Sequence, residues 1–213
     1  MRIIDMDTWP RKDHFNLFRA FNHPHFSMCA NVDISKTLPY IKEHKHSFTI
    51  AIAYLIGRTA NSIQEFRLRI RDDQLIEHEV VNPSFTILVS DDLFSFCNVD
   101  YVENFVLFEA DALAIIESVK TNLDLDTEQE PDDRLFMSPI PWVSFTSFFH
   151  PMQFHPSDSV PRFAWGKYFE EGNQIKMPLQ VQGHHALMDG LHVGRFYQQF
   201  QEFLMEPERI LAP

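Results

Sequence analysis

Two adjacent histidines, His184 and His185, stand at the end of an alternating run, and Asp189 follows four residues after the second. A neutral imidazole accepts a proton well near about pH 7, provided that its neighbours fix its tautomer and orientation. The chemistry suggested is general-base catalysis, the removal of a proton from a hydroxyl or thiol as it attacks. The same spacing also fits a half-buried histidine beside an ordinary aspartate helix cap. Spacing alone leaves both readings open.

The elements around these residues can be read from their periods. Ile175, Met177, Leu179, Val181 and Gly183 share one side of a period-2 strand with His185, the mainly apolar side. Lys176, Gln180, Gln182 and His184 share the polar side. After Asp189 the period changes, and Val193, Phe196, Phe200, Phe203 and Leu204 recur at helical spacing. Asp189 closes a strand-to-helix junction, where a side chain is held stiffly over a cleft.

Earlier in the chain, Met1–Met6 reads as a short strand, and a helix carrying Phe15, Phe18 and Phe21 follows with Asp13 as its cap. Phe26–Ile34 alternates as a half-buried strand. A short helix starts at Ser35 and a long buried one covers Phe48–Ser62. Phe66, Leu68 and Ile70 alternate with Arg67, Arg69 and Arg71 in a hairpin that turns at Asp72-Asp73-Gln74 towards Leu75–Val81, with the arginines on its wetter face. Strands follow at Phe85–Val89 and Leu93–Val99, and a helix at Asn104–Asn122. Leu123–Arg134 is acidic and reads as an exposed loop; it lacks the glycine and the terminal Glu of a calcium-binding pattern. In Leu135–Phe149 two prolines frame Ile140, so Ser138 reads as a turn residue and the strand resumes at Trp142. Phe163–Glu171 and Asn173–Val181 form a hairpin around Gly172.

Composition narrows the function classes. The chain has 213 residues, 21 of them Phe, and a net charge of -12. That length reads as one domain over residues 1–213 with a sizeable core. The charge argues against a nucleic-acid partner, because phosphate backbones need clustered Lys and Arg. Cys29 and Cys97 have no metal-type spacing, so no metal is expected, and they suit a reducing compartment. No stretch of about 20 apolar residues exists to span a membrane, and Met1–Phe15 has no apolar signal region. A cytoplasmic protein is expected.

The segment His-His-Ala-Leu-Met-Asp-Gly-Leu-His-Val-Gly-Arg, starting at His184, resembles the active-site signature of chloramphenicol acetyltransferases. A shorter form, His-His-x-x-x-Asp-Gly, marks the dihydrolipoamide acyltransferase cores. The likeness extends to Thr8-Trp9-Pro10-Arg11-Lys12-Asp13-His14-Phe15, to Ser138 ahead of Pro141-Trp142-Val143, and to Lys167-Tyr168. It runs from Thr8 to about Leu204.

The resemblance implies an α+β fold, a two-layer α/β sandwich with a mixed, hairpin-rich sheet, assembled as a homotrimer with active sites between subunits. It implies an acetyl-CoA-dependent O-acetyltransferase acting on chloramphenicol or a related small alcohol. His185 becomes the general base and Ser138 the donor to the oxyanion. Asp189 and Arg11 become an ion pair holding the His185 loop. Lys167 and Tyr168 fall beside the coenzyme A site, and Phe18, Phe26, Phe94 and Phe96 in the acceptor pocket. By spacing alone, Arg11 is a surface charge and Lys167 an exposed residue beside a core-edge Tyr. The chain departs from the family pattern at Ala164, where resistance enzymes carry a Thr, and at Phe18, Asn22, Ser47 and Phe96. These departures keep two other readings open: a different acceptor alcohol or thiol, and a non-catalytic coenzyme A-binding homologue.

Overall fold

A computed structural model describes residues 1–71, 74–121, 131–153 and 158–212. The elements follow in order as β1 (Arg2–Ile3), α1 (Lys12–Arg19), β2 (His25–Asp33), α2 (Thr37–Glu43) and α3 (Phe48–Asn61). Next come β3 (Leu68–Arg71), β4 (Gln74–Glu77), β5 (Asn82–Ser90), β6 (Leu93–Asn98), α4 (Phe105–Thr121) and β7 (Arg134–Ile140). The chain ends with β8 (Arg162–Gly166), β9 (Phe169–Glu171), β10 (Gln174–His184), α5 (Gly190–Met205) and α6 (Pro207–Ile210).

A seven-stranded sheet runs β2-β10-β8-β7-β5-β6, with β9 also paired to β10. The β5–β7 and β7–β8 pairs are parallel and the others antiparallel. A small antiparallel sheet, β1-β4-β3, stands apart. The expected α+β sandwich with a mixed sheet is the observed one.

Helices cover one face of the large sheet. α3 is apolar nearly all round and Ile50–Gly57 is buried, as expected for a helix packed between strands and other helices. Ser47 caps it, its Oγ accepting from the Ile50 N–H at 3.5 Å. From α5, Val193, Phe196, Phe200 and Leu204 enter the same core as Met177, Leu179 and Val181 of β10. The apolar period of β10 thus faces the helices.

The other face of the sheet is polar yet buried. Gln180, Gln182 and His184 are almost fully enclosed. The residues after β7 lie over them as a strap. The Ser27 Oγ donates to the Phe148 carbonyl at 3.0 Å, and the His150 N–H to Gln182 Oε1 at 2.9 Å. No strand resumes at Trp142, because this stretch crosses the sheet face instead of joining it. Ser138 is correspondingly not a turn residue but sits inside β7.

Several local expectations are corrected. Arg11, not Asp13, stands at the N-cap of α1, and Asp13 falls in the first turn. α2 begins at Thr37. The hairpin arginines do not share one wet face: Arg71 is exposed as expected and Arg67 is half-buried, but Arg69 is enclosed. Arg69 is fully buried and donates to the carbonyls of Phe66, Leu68, Asp132 and Arg134. Arg67 pairs with Glu77 at 2.9 Å and Arg71 with Asp132 at 2.6 Å. Alternation placed them together, but packing against the start of β7 encloses Arg69. Asp72 and Asp73 of the expected turn, and most of the acidic Leu123–Arg134 loop, lie outside the described residues. β8 and β9 are separate strands because Lys167 and Tyr168 leave the ladder. Gly172 turns the chain into β10 with a φ of +64°, a conformation that favours glycine.

Candidate active site

His185 is the first residue beyond β10. Its N–H donates to the Pro24 carbonyl at 2.7 Å. Its ring lies flat on Phe18, centroids 3.8 Å apart and planes 5° from parallel, and the Phe26 ring meets it at a tilt, 4.9 Å away. The ring is half-buried. Nδ1 is buried without a hydrogen-bond partner among the described residues.

The turn from His185 to Asp189 is held by packing and by His184. The His184 carbonyl accepts from the Leu187 and Met188 N–H groups at 2.9 and 3.1 Å, and its Nδ1 accepts from the Ala186 N–H at 3.2 Å. Burial, and then the neighbouring His25, push the His184 imidazole down to about 3. A ring kept neutral with its lone pair committed to the backbone is structural. The two adjacent histidines therefore divide: His184 shapes the turn and His185 is presented by it. Ala186 and Leu187 enter a second apolar cluster with Phe15, Leu68 and Leu75. Gly183 lets Met188 fold back beneath the strand, since a β-carbon there would sit 2.3 Å from the Met188 sulfur.

Asp189 caps α5. Its Oδ1 accepts from the Leu191 N–H at 2.9 Å, and Arg11 Nη1 donates to its Oδ2 at 2.6 Å. Burial raises the Asp189 carboxyl, but the Arg11 and Leu191 hydrogen bonds outweigh it and hold the group below its ordinary value. Arg11 engages through one prong only; Nε and Nη2 are buried without partners among the described residues. Two further residues join here that sequence reasoning missed. His192 Nδ1 accepts from the Asp189 N–H at 3.1 Å, and its Nε2 lies 3.2 Å from Glu65 Oε1. The signal was present in the three-residue step from Asp189 to His192, which is the spacing of a capping box; Glu65, distant in sequence, gave none.

Ser138 lies elsewhere in the same chain. On β7 it pairs with Ala164 of β8, which pairs with Gln180 of β10. His185 is thus two strands across and five residues along, roughly 19 Å from Ser138 at ordinary strand spacings. The aromatic candidates split in the same way. Phe18 and Phe26 touch His185. Phe94 and Phe96, 5.6 Å apart, stand on β6 at the far edge of the sheet. Alternation through Thr86 and Ser84 places both on the Ser138 face. Lys167 is exposed, and the half-exposed Tyr168 ring stands 5.8 Å from Phe48 at the start of α3. The expected site residues therefore fall into two groups, well apart on the single chain. Two surface recesses, of about 330 and 750 Å³, lie along β2 and α5 near Asn31, Asp33 and Tyr197, at neither group.

Among the described residues no cluster of His, Cys, Asp or Glu is placed to hold a metal ion. No helix among them is long and apolar enough to cross a membrane.

Comparison with known proteins bears on this geometry. The chloramphenicol acetyltransferase family profile matches residues 1–201. A chloramphenicol acetyltransferase of a Klebsiella species is 31% identical over 204 residues, covering 95% of this chain and 93% of that protein. Chloramphenicol acetyltransferase 3 of Escherichia coli is 32% identical over 201 residues, covering 93% and 94%. A solved chloramphenicol acetyltransferase superposes with a TM-score of 0.90 over 95% of this chain and 99% of that one, at 26% identity. The dihydrolipoamide acetyltransferase of Azotobacter vinelandii, at 17% identity and a TM-score of 0.68, covers 94% of this chain and 88% of that one and shares the fold alone.

Proposed function

The chain belongs to the chloramphenicol acetyltransferase family and is an enzyme of that kind, and from this premise we propose how its residues act. It moves an acetyl group from acetyl-CoA to a hydroxyl of chloramphenicol or a related small alcohol. His185 is the general base. It takes the hydroxyl proton as the oxygen attacks the thioester carbonyl, and returns that proton to the departing coenzyme A thiolate. A base so placed contributes typically about 10²- to 10⁴-fold. Phe18 and Phe26 fix the plane of its ring, and the Arg11–Asp189 pair fixes the turn that presents it. Ser138 donates to the oxyanion of the tetrahedral intermediate, a contribution of roughly 10²- to 10³-fold for donors of this type.

The single observation that carries this reading is the half-buried His185 ring clamped on Phe18 at the mouth of a locked turn. The roughly 19 Å between His185 and Ser138 supports a site shared by two copies, and we assign the homotrimer expected from the family resemblance. Each site takes His185, Phe18 and Phe26 from one subunit and Ser138, Phe94 and Phe96 from its neighbour. Lys167 and Tyr168 take the coenzyme A; an exposed ammonium beside an aromatic ring suits a phosphorylated nucleotide in an otherwise acidic protein. The whole of residues 1–213 is one catalytic domain in this reading. A cytoplasmic location belongs to it as well, supported by the unpaired Cys29 and Cys97.

Thiol release from acetyl-CoA, with and without chloramphenicol, tests the proposal. Release that depends on chloramphenicol and falls at least about 10²-fold in His185→Ala is expected. A His185→Ala protein that keeps most of its activity refutes the base assignment.

A further inference from the structure

The Ser138 face of the sheet carries a polar group that the proposed chemistry does not use. His150, in the strap, is buried at 7% exposure, and both its ring nitrogens lack a hydrogen-bond partner among the described residues. Buried imidazole nitrogens are ordinarily paired. The two polar side chains that act on the ring, Gln182 and Arg162, each have other partners. Gln182 reaches towards the ring, but its Oε1 accepts the His150 backbone N–H at 2.9 Å and its Nε2 lies 3.0 Å from the Met152 sulfur. Arg162 pairs with Asp158, donates to the Val160 carbonyl at 3.0 Å and stacks over the Phe136 ring. The Phe148 ring meets the imidazole edge to face at 4.8 Å.

We propose that His150 is a specificity-determining residue of the acceptor site, hydrogen-bonding a second polar group on the acceptor alcohol. The inference rests on the reading of Ser138 given above. Gln182, Arg162 and Phe136 lie side by side on β10, β8 and β7, and Ser138 is two residues beyond Phe136 on the same face. Gln182, beneath His150, is thus roughly 12 Å from Ser138, a span that one small molecule bridges. Burial, and then the Arg162 charge, push the His150 imidazole down to about 4, while Gln182 opposes the fall. The ring is therefore neutral at ordinary pH and offers one N–H donor and one lone pair. A hydroxyl or an amide, which both donates and accepts, complements it. An acceptor whose far end is purely apolar leaves both nitrogens unmet, so the site selects a polyfunctional alcohol over a simple one.

Chloramphenicol serves as the probe, with the purified protein. His150→Leu raises the KM for chloramphenicol about tenfold, the scale of one neutral hydrogen bond, and leaves the KM for acetyl-CoA unchanged. His150→Gln, which keeps a donor and an acceptor, recovers most of the loss. A His150→Leu protein with the wild-type KM for chloramphenicol, or one whose two KM values rise together, overturns the inference. A second arm does not need turnover. In protein labelled with ¹⁵N-histidine, the His150 ring signals, assigned with the Gln variant, shift when chloramphenicol is added with coenzyme A. Signals that stay unmoved overturn the inference. Absent turnover with shifted ring signals sinks the proposed function and keeps this inference; turnover with unmoved signals does the reverse.

Discussion

At the scale of single residues, the site depends on how firmly one imidazole is aimed. His185 is aimed by stacking on Phe18 and by its backbone bond to Pro24, while Asp189 is secured by Arg11 below the next helix. This pair acts through position. A displacement of about 1 Å at the reacting centre can cost on the order of 10²-fold, so Arg11→Met lowers kcat about 10- to 100-fold and changes the KM for acetyl-CoA little. Steady-state kinetics checks this. The pair also stabilises the fold, with a definite acid dependence. The folded Asp189 carboxyl lies below its ordinary value of 3.8. The stabilisation is then complete above that value and is lost as pH falls through the lower, folded one. The difference in thermal midpoint between wild type and Arg11→Met accordingly narrows below about pH 4. The Arg11–Asp189 partnership came from resemblance alone, and the one-pronged contact could not be read from it. Nor could the different fates of His184 and His185 be read in full, because alternation gives the side of a strand and not what covers it.

At the scale of elements, the period-2 pattern of β10 and the helical period after Asp189 located the junction correctly. These signals are local: an apolar side must find the core, and a changed period must mark a new element. The strap over the polar face was not legible. Pro139 and Pro141 gave a bend, but nothing local says that Phe148 and His150 then cross the sheet to cover Gln180 and Gln182. Arg69 was misread for the same reason, since its enclosure comes from residues more than 60 positions away. The junction itself makes a testable demand. A methyl group on residue 183 collides with the Met188 side chain, and overpacking of this kind costs about 1–3 kcal/mol. Gly183→Ala therefore lowers the thermal midpoint and, by pushing the turn outward, lowers kcat as well. Calorimetry with the thiol-release assay follows both. A variant with unchanged stability shows that Met188 has room to move.

At the scale of the whole molecule, the sheet separates the two halves of the chemistry. β2 and β10 carry the His185 half at one edge, and β7, β5 and β6 carry Ser138, Phe96 and Phe94 towards the other. A rigid sheet core does not fold these halves together. In the proposed trimer a second copy brings its Ser138 face to a His185, and the pattern on one chain carries no sign of that partner; the trimer came from resemblance alone. In that reading the polar strap face, with His150 roughly 12 Å from Ser138, forms a wall of the shared pocket.

The most direct test of this shared site is complementation. His185→Ala and Ser138→Ala proteins are each purified, unfolded together in equal amounts, refolded, and assayed for chloramphenicol-dependent thiol release. Random assembly gives about a quarter of the sites an intact His185 from one variant and an intact Ser138 from the other, if each site lies between neighbouring copies in a closed ring. The mixture is predicted to recover about that fraction of wild-type activity, far above either parent. Activity no higher than the average of the two parents, in a mixture that assembles normally, contradicts a site built from two subunits.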